Sequence, residues 1–170
     1  EAELNKICAK LEIVPLHKIG IAWNLAWAMF SSKPYQVHYF HQRSAHRKVN
    51  TLIASIKPDH IYCQLVRASE YVKNQHGIPK TIDYMDTFSK GVERRIESAS
   101  FFKRPFFKAE ARRLLAYENI MFEYFEHKTI ISEQDRDLIY HPNREQIHVI
   151  RNGVDTDYFC PRDQEKEYDL

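Results

Sequence analysis

Short apolar runs of strand length alternate with stretches of helical periodicity along nearly the whole chain, and this alternation constrains the fold more than any single motif. Runs at 12–16, 60–65, 80–85, 129–132 and 147–151 have the length and β-branched content of strands. Between them, residues 2–10, 19–30, 44–56, 67–76 and about 89–126 carry apolar side chains every three or four positions. Gly77 is placed to cap the helix before it, and Pro79 leads into the third strand run. Lys103-Arg104-Pro105 interrupts the long helical stretch, because proline removes a backbone donor and crowds the preceding turn. Such alternation predicts an α/β domain with a mostly parallel sheet, since parallel neighbours need a crossover and helices supply it.

Composition narrows the function classes. With 170 residues, 44% hydrophobic and 28% charged, the chain suits one domain with a sizeable core. A formal charge of +2 argues against a nucleic-acid partner bound by phosphate neutralisation. The basic group Arg43, His46, Arg47 and Lys48 has no interleaved aromatic residues on which bases could stack. Cys8, Cys63 and Cys160 are odd in number and lack CxxC spacing, the pattern of free thiols in a reducing compartment. His38, His41 and His46 are close in sequence but form no metal-ligand motif, so no metal is expected. No run of about 18 apolar residues is present and the acidic start is not a signal peptide, which places the protein in the cytoplasm. The abrupt start at Glu1 and the strand-like beginning at 167–170 read as the ends of a fragment.

The densest information lies in 128–161. Ser132 stands three residues before Asp135, where its hydroxyl can take an orphan amide at the start of a helix running to about His141, stopped by Pro142-Asn143. The strand run at 147–150 then ends at Arg151-Asn152-Gly153, where glycine permits a positive φ and close approach of a ligand. The carboxyl edge of a parallel sheet is where such folds bind ligands.

The run IISEQDRDLI…IHVIRNGVDTDYFCP resembles the end of the N-terminal domain in family 4 retaining glycosyltransferases, enzymes of the GT-B fold. DYMDTFSKGVERRI followed by EARRLLAYE is similar to a subgroup with an Asp-x-x-Asp-x-x-Ser stretch and a long helix. Together these segments cover most of 58–161. The resemblance implies a Rossmann-like parallel sheet flanked by helices, with 1–161 an acceptor-side domain incomplete at its start and 162–170 the beginning of a linker or second domain. Two further strands, one of them central and followed by a Gly-rich loop, would precede residue 1, and their absence would leave backbone groups of the sheet unpaired. The chain has four glycines and no GxGxxG or GxxxxGK[ST], hence no phosphate-cradling loop of its own. The implied activity is transfer of a sugar, with retention, from a nucleotide-sugar donor to a glycan or lipid-linked acceptor, with no further cofactor and with this part alone inactive. The alternative from another class is a non-catalytic α/β binding or interaction module.

The candidate site follows from the strand ends. Asp86, where the run TIDYM gives way to loop and where many family members have a histidine, is the candidate catalytic residue. A carboxylate there can hold an acceptor hydroxyl or stabilise positive charge at the anomeric carbon. Asp83, Arg67, Ser132, Glu133, Arg151, Asn152 and Gly153 are candidate substrate-binding residues. Each has a plainer reading as a turn, cap or ion-paired residue. Phe101, Phe102, Phe106 and Phe107, interleaved with Lys103, Arg104 and Lys108, form a candidate peripheral membrane contact at the inner face of the membrane, and Trp23 and Trp27 at i, i+4 can join them or pack on the sheet.

Overall fold

The computed structural model describes residues 4–159 as an α/β domain with a Rossmann-like parallel sheet flanked by helices. The elements are α1 (Leu4–Ile7), α2 (Lys18–Ala28), α3 (Tyr35–Phe40), α4 (Arg43–Ile56), β1 (Ile61–Gln64), β2 (Lys80–Asp83), α5 (Phe88–Ser98), α6 (Arg104–Phe122), β3 (His127–Ile130), α7 (Glu133–Leu138) and β4 (His148–Val149). The sheet order is β1-β2-β3-β4 and every pairing is parallel. Ile61 faces Lys80, Thr81 faces His127 and Thr129 faces His148. This register brings the carboxyl ends of β1 and β2 side by side, and those of β3 and β4 likewise. Cys160 and the strand expected at the end of the chain lie outside the described residues.

Hydrophobic burial follows position in the sheet. β2 is buried along its whole length, as a strand covered on both faces must be, whereas β1 alternates, with Ile61 and Cys63 inside and Tyr62 and Gln64 exposed. Ile82, Tyr84, Ile130, Met121, Phe122 and Ile139 form the centre of one core with Tyr117 and Phe125. The Tyr84 hydroxyl, completely enclosed, donates to the Glu118 carbonyl at 3.1 Å, so the ring brings no unpaired polar atom into the core. Another buried polar group, Glu70, accepts from Lys33, Lys73 and Tyr117 at 2.7–2.8 Å. Burial works to raise its pKa, but these three donors outweigh it and hold the carboxyl down to about 2.

The sequence expectations fail at instructive points. Residues 12–16 form no strand. Pro15 has no N–H to give a ladder, Glu12 is drawn into ion pairs with Lys10 at 3.1 Å and Lys48 at 2.8 Å, and Val14 and Leu16 line a cavity with Phe40, Ala45 and Val49 instead. The helix expected over 2–10 is only Leu4–Ile7 among the described residues. A further helix, α3, follows Pro34 in a stretch for which the sequence predicts no element. The stretch 67–76 is a 3-10 helix at Val66–Tyr71 followed by turns, and Gly77, at φ +89°, serves a turn rather than a helix end. Pro105 lies in the first turn of α6, where its missing N–H costs nothing, so it starts the second helix of a hairpin. α7 ends at Leu138 rather than His141. Gly153 does not take the positive φ expected of it.

Candidate active site at the carboxyl edge of the sheet

Two residues expected in the site, Arg67 and Asp86, follow the ends of the neighbouring strands β1 and β2 and line one cavity of about 400 Å³. Its walls come from α3 (Tyr35, Gln36), α5 (Phe88, Gly91, Val92, Arg95) and the start of α6 (Phe106, Phe107, Glu110). Of these α3, α5 and α6 residues the sequence singles out only Phe106 and Phe107, and those as a membrane contact rather than as walls of this cavity. Periodicity shows which face of a helix is apolar but not that three helix ends meet over a strand edge.

The backbone leading to both residues is strained. Leu65 has φ +71° and Met85 φ +62°, values costly for residues with a Cβ. At Met85 the strain is a tight three-residue turn: the Asp86 N–H donates to the Tyr84 carbonyl at 2.8 Å. Asp83 helps hold this turn, because its Oδ1 accepts from the Met85 N–H at 3.1 Å while Oδ2 accepts from the Tyr62 hydroxyl at 2.7 Å. Asp83 is only 7% exposed, and each of its oxygens already accepts one hydrogen bond, which gives it a part in shaping the site. At Leu65 the N–H completes the ladder to the Asp83 carbonyl at 2.8 Å before the chain turns into the 3-10 helix that carries Arg67.

Arg67 has an unusual environment for a cation. Its guanidinium lies 4.5 Å from the centroid of Phe40 and 5.4 Å from that of Phe88, and among the described residues it has no ion pair. Aromatic faces attract a guanidinium and hold its plane, but they leave its N–H donors unused. Asp86 stands at the rim of the same cavity. Desolvation and then the nearby Asp135 raise its pKa above the ordinary aspartate value, with Arg67 and Arg94 opposing the rise. The direction of the shift makes this exposed carboxylate a better proton acceptor than an unperturbed aspartate.

α6 stabilises this arrangement through two buried glutamates. The Glu110 carboxylate accepts from the Tyr35 and Gln36 N–H groups at 2.8 and 3.1 Å, satisfying the start of α3. The Glu118 carboxylate accepts from the Ser89 N–H at 3.0 Å and the Ser89 hydroxyl at 2.6 Å, satisfying the start of α5. Both exploit the positive end of a helix dipole. Burial of Glu118 raises its pKa to about 7 even so, the Ser89 donors opposing the rise.

The other expected residues gather at the β3–β4 edge. Ser132 caps α7 as its position predicts: its Oγ accepts from the Asp135 N–H at 3.0 Å and its hydroxyl donates to Asp135 Oδ2 at 2.6 Å. One guanidinium nitrogen of Arg151, Nη2, donates to both oxygens of Glu133 at 2.9 and 3.1 Å in an exposed ion pair. Asn152 and Gly153 are exposed beside it. The two edges are joined by the Thr87 hydroxyl, which donates to the Asp135 carbonyl at 2.7 Å, and by the Ile131 N–H, which donates to the Met85 carbonyl at 3.3 Å.

Phe101, Phe102 and Phe106 are exposed, as are Trp23 and Trp27 on α2, so neither aromatic set is buried against the sheet. Among the described residues no helix is long and apolar enough to cross a membrane, and no group of three or more His, Cys, Asp or Glu is placed to hold a metal ion. His41 and His46 share a hydrogen bond at 3.0 Å and pack around Tyr71, whose hydroxyl donates to the Phe40 carbonyl. Compared with known proteins, the chain matches no family model, no curated protein and no solved structure.

Proposed function

We propose that this chain is the acceptor-side domain of a nucleotide-sugar-dependent glycosyltransferase and that the cavity between β1, β2 and α5 receives the acceptor. The observation that carries the reading is the convergence of Arg67 and Asp86, each displaced from its strand by a strained residue, on one cavity at the carboxyl edge of a parallel sheet. Asp86 holds the acceptor hydroxyl. The acceptor oxygen bonds to the anomeric carbon of the donor sugar as the bond from that carbon to the donor phosphate breaks. The nucleotide leaves with the phosphate, and the hydroxyl proton passes to Asp86, whose raised pKa suits it to take one. The β3–β4 edge, with Glu133, Arg151, Asn152 and Gly153, faces a donor-side domain and carries the connection to it. The nucleotide-sugar donor itself is held chiefly by that other domain.

The exposed phenylalanines at 101, 102 and 106 with Phe107, interleaved with cations, fit a peripheral contact at the inner face of a membrane, where a lipid-linked acceptor would be presented. The test of the reading is a screen of the full-length protein against a panel of nucleotide sugars, reading nucleotide release with and without acceptor. Release of one nucleotide, stimulated by acceptor, is the expected result. A folded protein that binds but releases nothing from any donor would support the non-catalytic binding module instead.

A further inference from the structure

The outer face of α2 inverts the usual pattern of a surface helix. Apart from Lys18 at its start, every exposed residue of α2 is apolar, and the exposed run continues through Met29 and Phe30. The one uncharged polar side chain of α2, Asn24, is turned inward and donates to the His41 carbonyl at 2.6 Å. The inner face is pinned. Gln42 bonds the His17 N–H and carbonyl at 3.1 and 2.9 Å, and Arg113 of α6 donates to the Ala28 carbonyl at 3.0 Å. The helix cannot roll to bury its outer side without breaking these bonds. Ile19, Trp23, Trp27 and Phe30, three or four positions apart, therefore stand as one stripe on the surface.

The size of the stripe matches a protein partner. At roughly 150–250 Å² per ring, Trp23, Trp27 and Phe30, exposed by 64–82%, present about 400 Å², and Ile19 with Met29 brings the patch to about 600 Å². The largest apolar patch of an ordinary monomer is about 300–600 Å², and each side of a stable dimer contributes about 600–1,000 Å². The chemistry points the same way. Residues 19–32 contain no Asp, Glu, Lys or Arg, and the next charge, Lys33, is paired with Glu70 at 2.8 Å. A helix lying on anionic lipid carries cations along its polar face, as the segment 101–108 carries Lys103, Arg104 and Lys108, and α2 has none beyond Lys18. A neutral stripe of Trp, Phe and Met is the composition of an interface core, and two copies of it can meet without burying or opposing a charge.

We propose that a second copy of this chain covers the stripe, the two α2 helices crossing antiparallel about a two-fold axis near Leu25. Such an axis sets Trp23 against Trp27 of the second copy and Ile19 against its Phe30, so each contact is made twice. Ala22 and Ala26, exposed beside the tryptophans, form a row of small side chains that leaves room for the incoming rings. The inference goes beyond the transferase reading and does not depend on it.

Sedimentation velocity of the full-length protein, from submicromolar concentration to about 100 µM, tests the proposal, with flotation on phosphatidylcholine vesicles, with and without phosphatidylglycerol, run beside it. A concentration-dependent dimer is expected. Trp23→Glu and Trp27→Glu are each expected to weaken it at least tenfold while the circular dichroism stays that of wild type. Phe30→Glu, beyond the last residue of α2, gives the same reading should a tryptophan variant fail to fold. A protein still monomeric at about 100 µM would overturn the proposal, as would a dimer that every folded variant keeps at wild-type affinity. Vesicle binding by a monomeric protein that these variants abolish would make the stripe a lipid contact and overturn it as well.

Discussion

The two halves of the sheet's carboxyl edge contain similar residue types and use them differently. At the β3–β4 edge, charged and polar side chains satisfy one another in the open: Arg151 clasps Glu133, and Ser132 caps α7. At the β1–β2 edge, Arg67 stands between aromatic rings without an ion pair among the described residues, the pKa of the neighbouring Asp86 is raised, and the residues leading to both are held at positive φ. Self-satisfied groups stabilise a fold, whereas groups held in strained or uncompensated states mark where a ligand would complete the arrangement. The difference separates Arg67 from Arg151, two arginines that the sequence presents on equal terms.

The largest effect expected from this contrast is kinetic. In the full-length protein, Arg67→Ala should lower kcat/KM for transfer by about 100-fold or more, in line with the loss of a buried charge-assisted contact. Arg151→Ala should lower it less than tenfold. Comparable losses in the two variants would erase the distinction. The pH profile sharpens it: the acid limb of the rate should lie above the ordinary aspartate range because the Asp86 pKa is raised, and it should move higher still in Arg67→Ala, which removes a nearby cation.

A second contrast concerns stability. Glu118 is raised to about 7 in the fold from the usual 4.5, so the folded state holds its proton more tightly than the unfolded chain. That contribution is fully present below about pH 4.5 and is lost as pH rises through 7. The difference between the two values, 2.5 pH units at 1.36 kcal/mol each, sets an upper limit of about 3 kcal/mol. Chemical denaturation of wild type and Glu118→Gln from pH 4.5 to 8 should therefore show wild type losing stability relative to the variant as pH rises. A pH-independent difference would show that Glu118 does not titrate in this window. Smaller again is the cap at the other edge. Ser132→Ala should cost about 1 kcal/mol, with sugar transfer reduced only as far as α7 frays.

The sheet was legible in the sequence wherever an apolar run was bounded by turn signals and free of proline, as at 60–65, 80–85 and 129–132. It was illegible at 12–16, where Pro15 and the ion pairs of Glu12 turn an apolar run into a packed loop. Ser132 could be identified as a cap because a cap is a local arrangement of four residues. The division of labour between Asp83 and Asp86 could not be read so directly. Strand alternation assigns their faces, but the Tyr62 hydroxyl that occupies Asp83 comes from the next strand, and the γ-turn that sets off Asp86 is centred on a methionine, which no turn rule favours. Glu110 and Glu118 were missed for a related reason. Each acts across a helix-to-helix or helix-to-loop approach that has no signature in its own segment.

The most direct test compares wild type with Asp86→Asn in the full-length protein, measuring acceptor-dependent nucleotide release together with melting temperature. A loss of turnover of at least 100-fold with an unchanged melting temperature is the predicted outcome. Wild-type turnover in the variant would contradict the assignment of the β1–β2 edge as the site of chemistry.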